Sequence, residues 1–166
     1  MIMIRLSKMM LTGVIAALCL LIGYNNIVDY GSNLMFVQHV LSMDTTFPDN
    51  AVRINRAVSD PRLQSDAYLI IIVAELAIGL ACLAGTLKMM LALNAPAATF
   101  NRAKKLSVLG LSAGVAFWLL AFLLVGGEWF QMWQSQMWNG QEAAFRFVTT
   151  IGLILIFVSL KDTDED

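Results

Sequence analysis

Four stretches in which nearly every residue is apolar divide the chain: Met9–Val28, Ala67–Leu87, Leu106–Gly126 and Ala143–Leu160. A helix crossing a hydrocarbon core of about 30 Å needs about 20 mainly apolar residues, so each run is near spanning length. Runs such as "LIIIVAELAIGLACLAG" lack the two-residue alternation of a membrane β-strand. Helices close their own backbone hydrogen bonds in lipid. The pattern therefore predicts an all-α membrane protein, with four transmembrane helices bundled into one domain over residues 1–166.

The connections carry patterns of their own. In "NLMFVQHVLSM", Leu34, Val37 and Leu41 fall on one helical stripe and Phe36, Val40 and Met43 on the next. "TTFPDN" is turn chemistry, with Asp49 or Asn50 able to cap a following helix, and "NAVRINRAV" suits a short one. Asp60 before Pro61 reads as an N-cap followed by a first-turn proline, starting the second long helix outside the membrane. Residues 29–66 thus predict an ordered cap with short interfacial helices.

Composition agrees: 58% of residues are hydrophobic and 14% charged, against about a quarter charged in soluble domains. Arg5 and Lys8 before the first run resemble the start of a signal peptide, but "GYNNIVDY" offers no small-residue cleavage site. The first run is read as a retained helix. Arg5, Lys8, Lys88, Arg102, Lys104, Lys105 and Lys161 flank one end of the runs, and only Arg53, Arg56, Arg62 and Arg146 the other. The positive-inside rule then places both termini in the cytoplasm and residues 29–66 and 127–142 in the periplasm. On this reading "NRAKK" enforces topology and touches anionic head groups, and the acidic tail "KDTDED" is a solvated end.

"GGEWFQMWQSQMWNGQEAAFRF" holds three of the chain's four tryptophans. Trp129, Trp133 and Met137 recur every fourth residue, which predicts an amphipathic helix in the interface, where Trp rings are enriched. A stacking platform for a sugar ring, quinone or lipid head group is the functional alternative.

Small and polar residues fall on helical faces. The first helix aligns Thr12, Ala16, Cys19, Gly23, Asn26 and Tyr30, the second Glu75, Gly79, Cys82 and Thr86, and the third Ser107, Gly110, Gly114 and Ala121. Gly23, Gly79, Gly110 and Gly114 are read as packing positions, since small residues let membrane helices approach closely. Glu75 lies about 12 Å along its helix, where an ionisable group normally faces the bundle interior and a partner. Arg146 is the cation nearest in depth, so a Glu75–Arg146 contact is expected, with Asn25, Asn26, Asp29 and Glu128 at the same level. That cluster is either a structural pair or a polar pocket for a ligand or proton.

Catalytic sets are missing. His39 is the single histidine. With Asp44 and Asp29 it matches no specific metal pattern, and a hydrogen-bonded histidine is the better reading. Cys19 and Cys82 are placed at different depths, so no disulfide is expected, and no basic strip suggests nucleic acid. No cofactor is indicated.

"YNNIVDYGSN", "FVQHVLSMDTTFP" and the Trp-rich stretch resemble the motifs of a bacterial family of predicted small integral membrane proteins, a domain of unknown function with four membrane helices. The resemblance implies an inner-membrane location and no reaction. It draws attention to Asn25, Asn26, Asp29, Asn33, His39, Asp44, Glu128, Trp129, Trp133, Trp138, Asn139 and Arg146 as one composite outer surface. The first functional expectation is an accessory subunit docking a protein partner there. A homo-oligomeric transporter or channel using Glu75 and Arg146 comes next, then a quinone- or lipid-binding enzyme component. An immunity-type protein facing a toxin is a further case of partner binding.

Overall fold

The computed structural model describes residues 2–164. Among them every regular element is helical: α1 (Ile2–Val28), α2 (Tyr30–Ser42), α3 (Arg53–Arg56), α4 (Pro61–Leu91), α5 (Ala97–Ala103), α6 (Lys105–Phe117) and α7 (Gln141–Ser159). A π-helical stretch, Trp118–Trp129, continues α6, and a 3₁₀ turn covers Met132–Gln134. Four helical segments are long and apolar enough to cross a membrane: Ile2–Val28, Pro61–Leu91, Ala97–Trp129 and Gln141–Ser159. The start of α1 and the end of α7 lie at the same end of the bundle, where Lys8 donates to the Leu160 carbonyl.

Three of these segments outrun the apolar runs that predicted them. The first begins before Arg5 and Lys8, and the third includes the basic "NRAKK". Charge does not end a helix when the charged head finds a partner. At 27 residues, α1 is about 40 Å long and overshoots a hydrocarbon core of about 30 Å. The second segment starts where the N-cap reading placed it: the Asp60 carboxylate accepts the Arg62 N–H at 2.8 Å, with Pro61 in the first turn.

α4 is the central helix, packed against α1 on one side and α6 on the other. Close approach depends on small residues. A Cβ at Gly79 would lie 2.7 Å from Leu20 Cγ, and one at Gly110 would lie 2.7 Å from Cys82 Sγ and 3.0 Å from its backbone nitrogen. Gly23 faces Leu76 at a similar 2.6 Å, while Gly114 meets Ile151 at an ordinary 3.4 Å. The core between the helices holds Ile15, Ile78, Leu111, Trp118 and Ile151. Cys19 and Cys82 are buried free thiols in that same cluster. Val14, Leu21, Val73, Leu80 and Leu153 point outward, as lipid-facing side chains do.

At the end carrying the termini, the tail folds inward. Asp162 is 4% exposed, and its Oδ2 accepts from Lys8 Nζ at 2.9 Å and Lys104 Nζ at 2.5 Å. Both ammonium groups also donate to the Leu160 carbonyl at 2.7 Å. Asn101 exchanges two bonds with the Asp162 backbone. Asp164 Oδ1 takes the Ala97 N–H that opens α5 and lies 3.5 Å from Arg5. The solvated tail expected from "KDTDED" is therefore corrected for Asp162, whereas Asp164 makes its bonds while 63% exposed, and Glu165 and Asp166 lie outside the described residues. Lys8 and Lys104, read as topology signals, are buried ligands of this carboxylate.

At the opposite end, α2 buries both of its stripes. Val37 packs with Tyr68 and Ile72, flanked by Leu34 and Leu41, while Val40 and Met43 pack with Phe130 and Met132, flanked by Phe36 and Trp138. The Trp-rich stretch is not an amphipathic helix. Gln131 is left-handed, with φ 53°, and the chain turns there. Its glutamines then close the cap: Asn50 Nδ2 donates to Gln131 Oε1 at 2.8 Å and Gln134 Oε1 at 3.0 Å, and the Phe47 N–H donates to Gln134 Oε1 at 3.0 Å.

Candidate functional site

Beneath the cap, α4 presents Tyr68, Ile72 and Glu75 toward α1 and α2. Their spacing of four and three residues puts them on one helical stripe. Glu75 is 2% exposed, and its Oε2 accepts from Asn26 Nδ2 of α1 at 2.6 Å. Tyr68, equally buried, donates its hydroxyl to the Asn26 carbonyl at 2.9 Å. One residue of α1 thus answers both polar groups of α4. Burying a carboxyl without a donor carries the full desolvation penalty, and Asn26 offsets part of it.

The expected Glu75–Arg146 contact is not formed. Arg146 donates to Glu142 at 2.8 Å, one turn back on α7, and their side chains are 71% and 84% exposed. Helical phase explains this. The inward stripe of α7 is Ala144, Ile151 and Val158, and Arg146 lies two residues, about 200°, away from Ala144. Thr149 and Thr150 follow Arg146 outward. The polar level drawn around Glu75 also shrinks: Asn25, Asp29 and Glu128 are exposed, and Asn26 alone of that group reaches the carboxyl.

Of two neighbouring cavities, one is lined by this pair. The smaller, about 260 Å³, is lined by Asn26, Asn33, Tyr68, Glu75, Trp118 and Phe147, among others. The larger, about 380 Å³, runs between α2, α4 and the π-helical stretch, and its lining is apolar, including Val40, Ile70, Leu120, Val125 and Met132. Phe36, Val37, Ile71 and Phe122 line both. Ile70 and Leu120 are 68% and 56% exposed, so the larger cavity opens on the lipid-facing flank. π-Helical turns recur at functional sites, and here one forms a wall.

The remaining outer residues hold the cap. His39 Nδ1 lies 2.8 Å from Asp44 Oδ2, and its ring stacks on Trp138 at 4.6 Å. Asp29 instead accepts from Ser32 at 2.9 Å. Among the described residues no group of three or more His, Cys, Asp or Glu is placed to hold a metal. Trp133 meets Phe47 edge-on, and Arg56 covers the Trp129 ring while donating to its carbonyl at 3.1 Å. Asn139 Oδ1 takes the Gln141 N–H that starts α7.

Tyr68 was not singled out from the sequence, although its spacing from Glu75 was a readable signal. The Lys8–Asp162–Lys104 cluster was also missed. Its signal was an acid placed next to the last span, at the end where cations concentrate. In that cluster burial raises the Asp162 pKa, but the hydrogen bonds from Lys104 and Lys8 outweigh it and hold the carboxyl below its ordinary 3.8.

Neither a curated protein nor a solved structure matches the chain. One family does, over residues 4–161, which takes in all four spans, the cap and the tail as far as Lys161. The chain belongs to the family described as predicted small integral membrane protein (DUF2165).

Proposed function

We propose that the protein binds a lipid-like amphiphile through the side of the bundle, with an acyl or isoprenoid tail in the apolar cavity and an uncharged hydrogen-bonding head beside Glu75, Asn26 and Tyr68. The observation that carries this is the shared wall: Phe36, Val37, Ile71 and Phe122 line both the apolar cavity of about 380 Å³ and the polar one of about 260 Å³. Ligand sites are mostly apolar, with a few convergent polar groups that fix orientation. Among the described residues, the one charged side chain lining either cavity is Glu75, which disfavours an anionic head. A quinone or a neutral lipid head has the required chemistry.

Trp118 lines the polar cavity and serves as an intrinsic probe. Saturable quenching of its fluorescence by a short-chain quinone or a brominated neutral lipid, weakened about tenfold or more by Glu75→Gln at unchanged melting temperature, is the expected result. Quenching that rises linearly without saturating, and is the same in the variant, would remove the proposal.

The accessory-subunit reading keeps one observation in its favour: Trp129 and Trp133 remain 54% and 47% exposed on the cap. A stoichiometric second protein retained in mild detergent, and lost on replacing both residues by alanine, would establish it instead. A transport route through Glu75 and Arg146 has no comparable support, because the two residues face different ways. The cation-rich end supports an orientation with both termini in the cytoplasm of a bacterial inner membrane.

A further inference from the structure

The buried lock at the terminal end also assembles a basic recess. Lys104 donates to the Leu160 carbonyl and to Asp162, and this draws the neighbouring residues Lys105 and Lys161 to the rim of one concavity of about 480 Å³. Its lining comprises Asn101, Lys104, Lys105, Val108, Ser159 and Lys161. Lys105 and Lys161 are exposed, whereas Lys104 is 4% exposed and forms the floor. Behind the floor, Lys8 and Lys104 share the one carboxylate of Asp162, which leaves the cluster with an excess positive charge. Asp164, the other described acid of the tail, lies toward Arg5 and the start of α5. Below the recess, Leu109 on α6 and Ile156 on α7 are 62% and 64% exposed. Each lies about one turn further into the bundle, at a depth that suits acyl chains.

We propose that this recess is a binding site for an anionic phospholipid, with the phosphodiester between Lys105 and Lys161 and its chains running down the outside of α6 and α7. Basic pockets between membrane helices take such head groups, and each Lys near the surface contributes about 1 kcal/mol, or about fivefold in affinity. The site stands apart from the cavities around Glu75 and does not depend on them.

The test uses the full-length protein in nanodiscs of phosphatidylcholine containing a minor fraction of phosphatidylglycerol, with lipid retention read by native mass spectrometry. Lys105→Gln with Lys161→Gln removes the rim and leaves the lock intact. Lys88→Gln with Arg102→Gln removes two exposed cations of the same end that do not line the recess. The expected result is about 25-fold weaker retention of phosphatidylglycerol in the first variant, little change in the second, and equal melting temperatures. Equal losses in both variants would mean diffuse surface attraction and would overturn the site. Displacement of the lipid by millimolar inorganic phosphate would make the ligand a free anion, overturning the assignment to lipid.

Discussion

Replacing Asn26 by alanine is expected to destabilise the protein more than replacing Glu75 by glutamine. The glutamine side chain would keep an oxygen within reach of Asn26 Nδ2, whereas the alanine would strip the buried Glu75 carboxyl of its donor. An orphaned buried polar group costs about 1–3 kcal/mol. Denaturant melts in detergent should therefore show a clear loss for Asn26→Ala and a change of less than about 1 kcal/mol for Glu75→Gln. The reverse order would mean that the bond at 2.6 Å does not govern the pair. Sequence reasoning found Glu75 from depth and Asn26 from its stripe, but chose Arg146 as the partner by depth alone. Depth is one helical coordinate, and phase is the other. The same limit applies to Asp162, whose composition-level reading as a solvated acid ignored two lysines that become its neighbours only after folding. Its depressed pKa has a pH consequence with a definite sign. The folded-state value lies below 3.8, so its stabilisation is complete above that pH and is lost as pH falls through the folded-state value. The melting-temperature gap between the wild type and Asp162→Asn should stay constant from about pH 7 to about pH 4.5 and close only in stronger acid. Closure between about pH 5 and 6 would contradict the lock.

Helix pairing turns on where a methyl group fits. At Gly79 an added Cβ would lie 2.7 Å from Leu20 Cγ and 3.0 Å from its backbone nitrogen, so α1 and α4 would have to separate. Gly152 on α7 has open space around it. Gly79→Ala should lower stability by about 1–3 kcal/mol, and Gly152→Ala should be neutral or gain up to about 1 kcal/mol. Thermal melts of the two variants make the comparison, and equal effects would show that the close approach is not needed. Elements of this kind were legible because their spacing repeats: the two stripes of α2 and the small-residue faces of α1, α4 and α6 were all in the sequence. The Trp-rich stretch was not legible. Trp129, Trp133 and Met137 have helical spacing, yet the chain turns at Gln131, and Asn50 and the Phe47 N–H take up the glutamine side chains. A period is evidence for a helix only when no distant partner competes for the same polar groups, and those partners lie about 80 residues away.

For the whole molecule, the tail is a working part of the bundle. It joins the start of α1, the α5–α6 junction and the end of α7 through Lys8, Lys104 and Asp162. Deleting residues 160–166 leaves every candidate span intact but strips two buried ammonium groups of their carboxylate and of the Leu160 carbonyl. Removing one partner of a buried ion pair costs about 3–5 kcal/mol, whereas replacing all partners by apolar groups of similar size is often neutral. The truncated protein should therefore melt well below the full chain. Introducing Lys8→Met and Lys104→Met into the truncated chain should restore much of the loss. In the full-length chain the same double substitution should be destabilising, because it orphans Asp162. This crossed pattern separates a charge lock from simple loss of tail contacts, which methionines at positions 8 and 104 could not repair. A truncated protein that melts with the full chain would show that the four spans hold together without the tail.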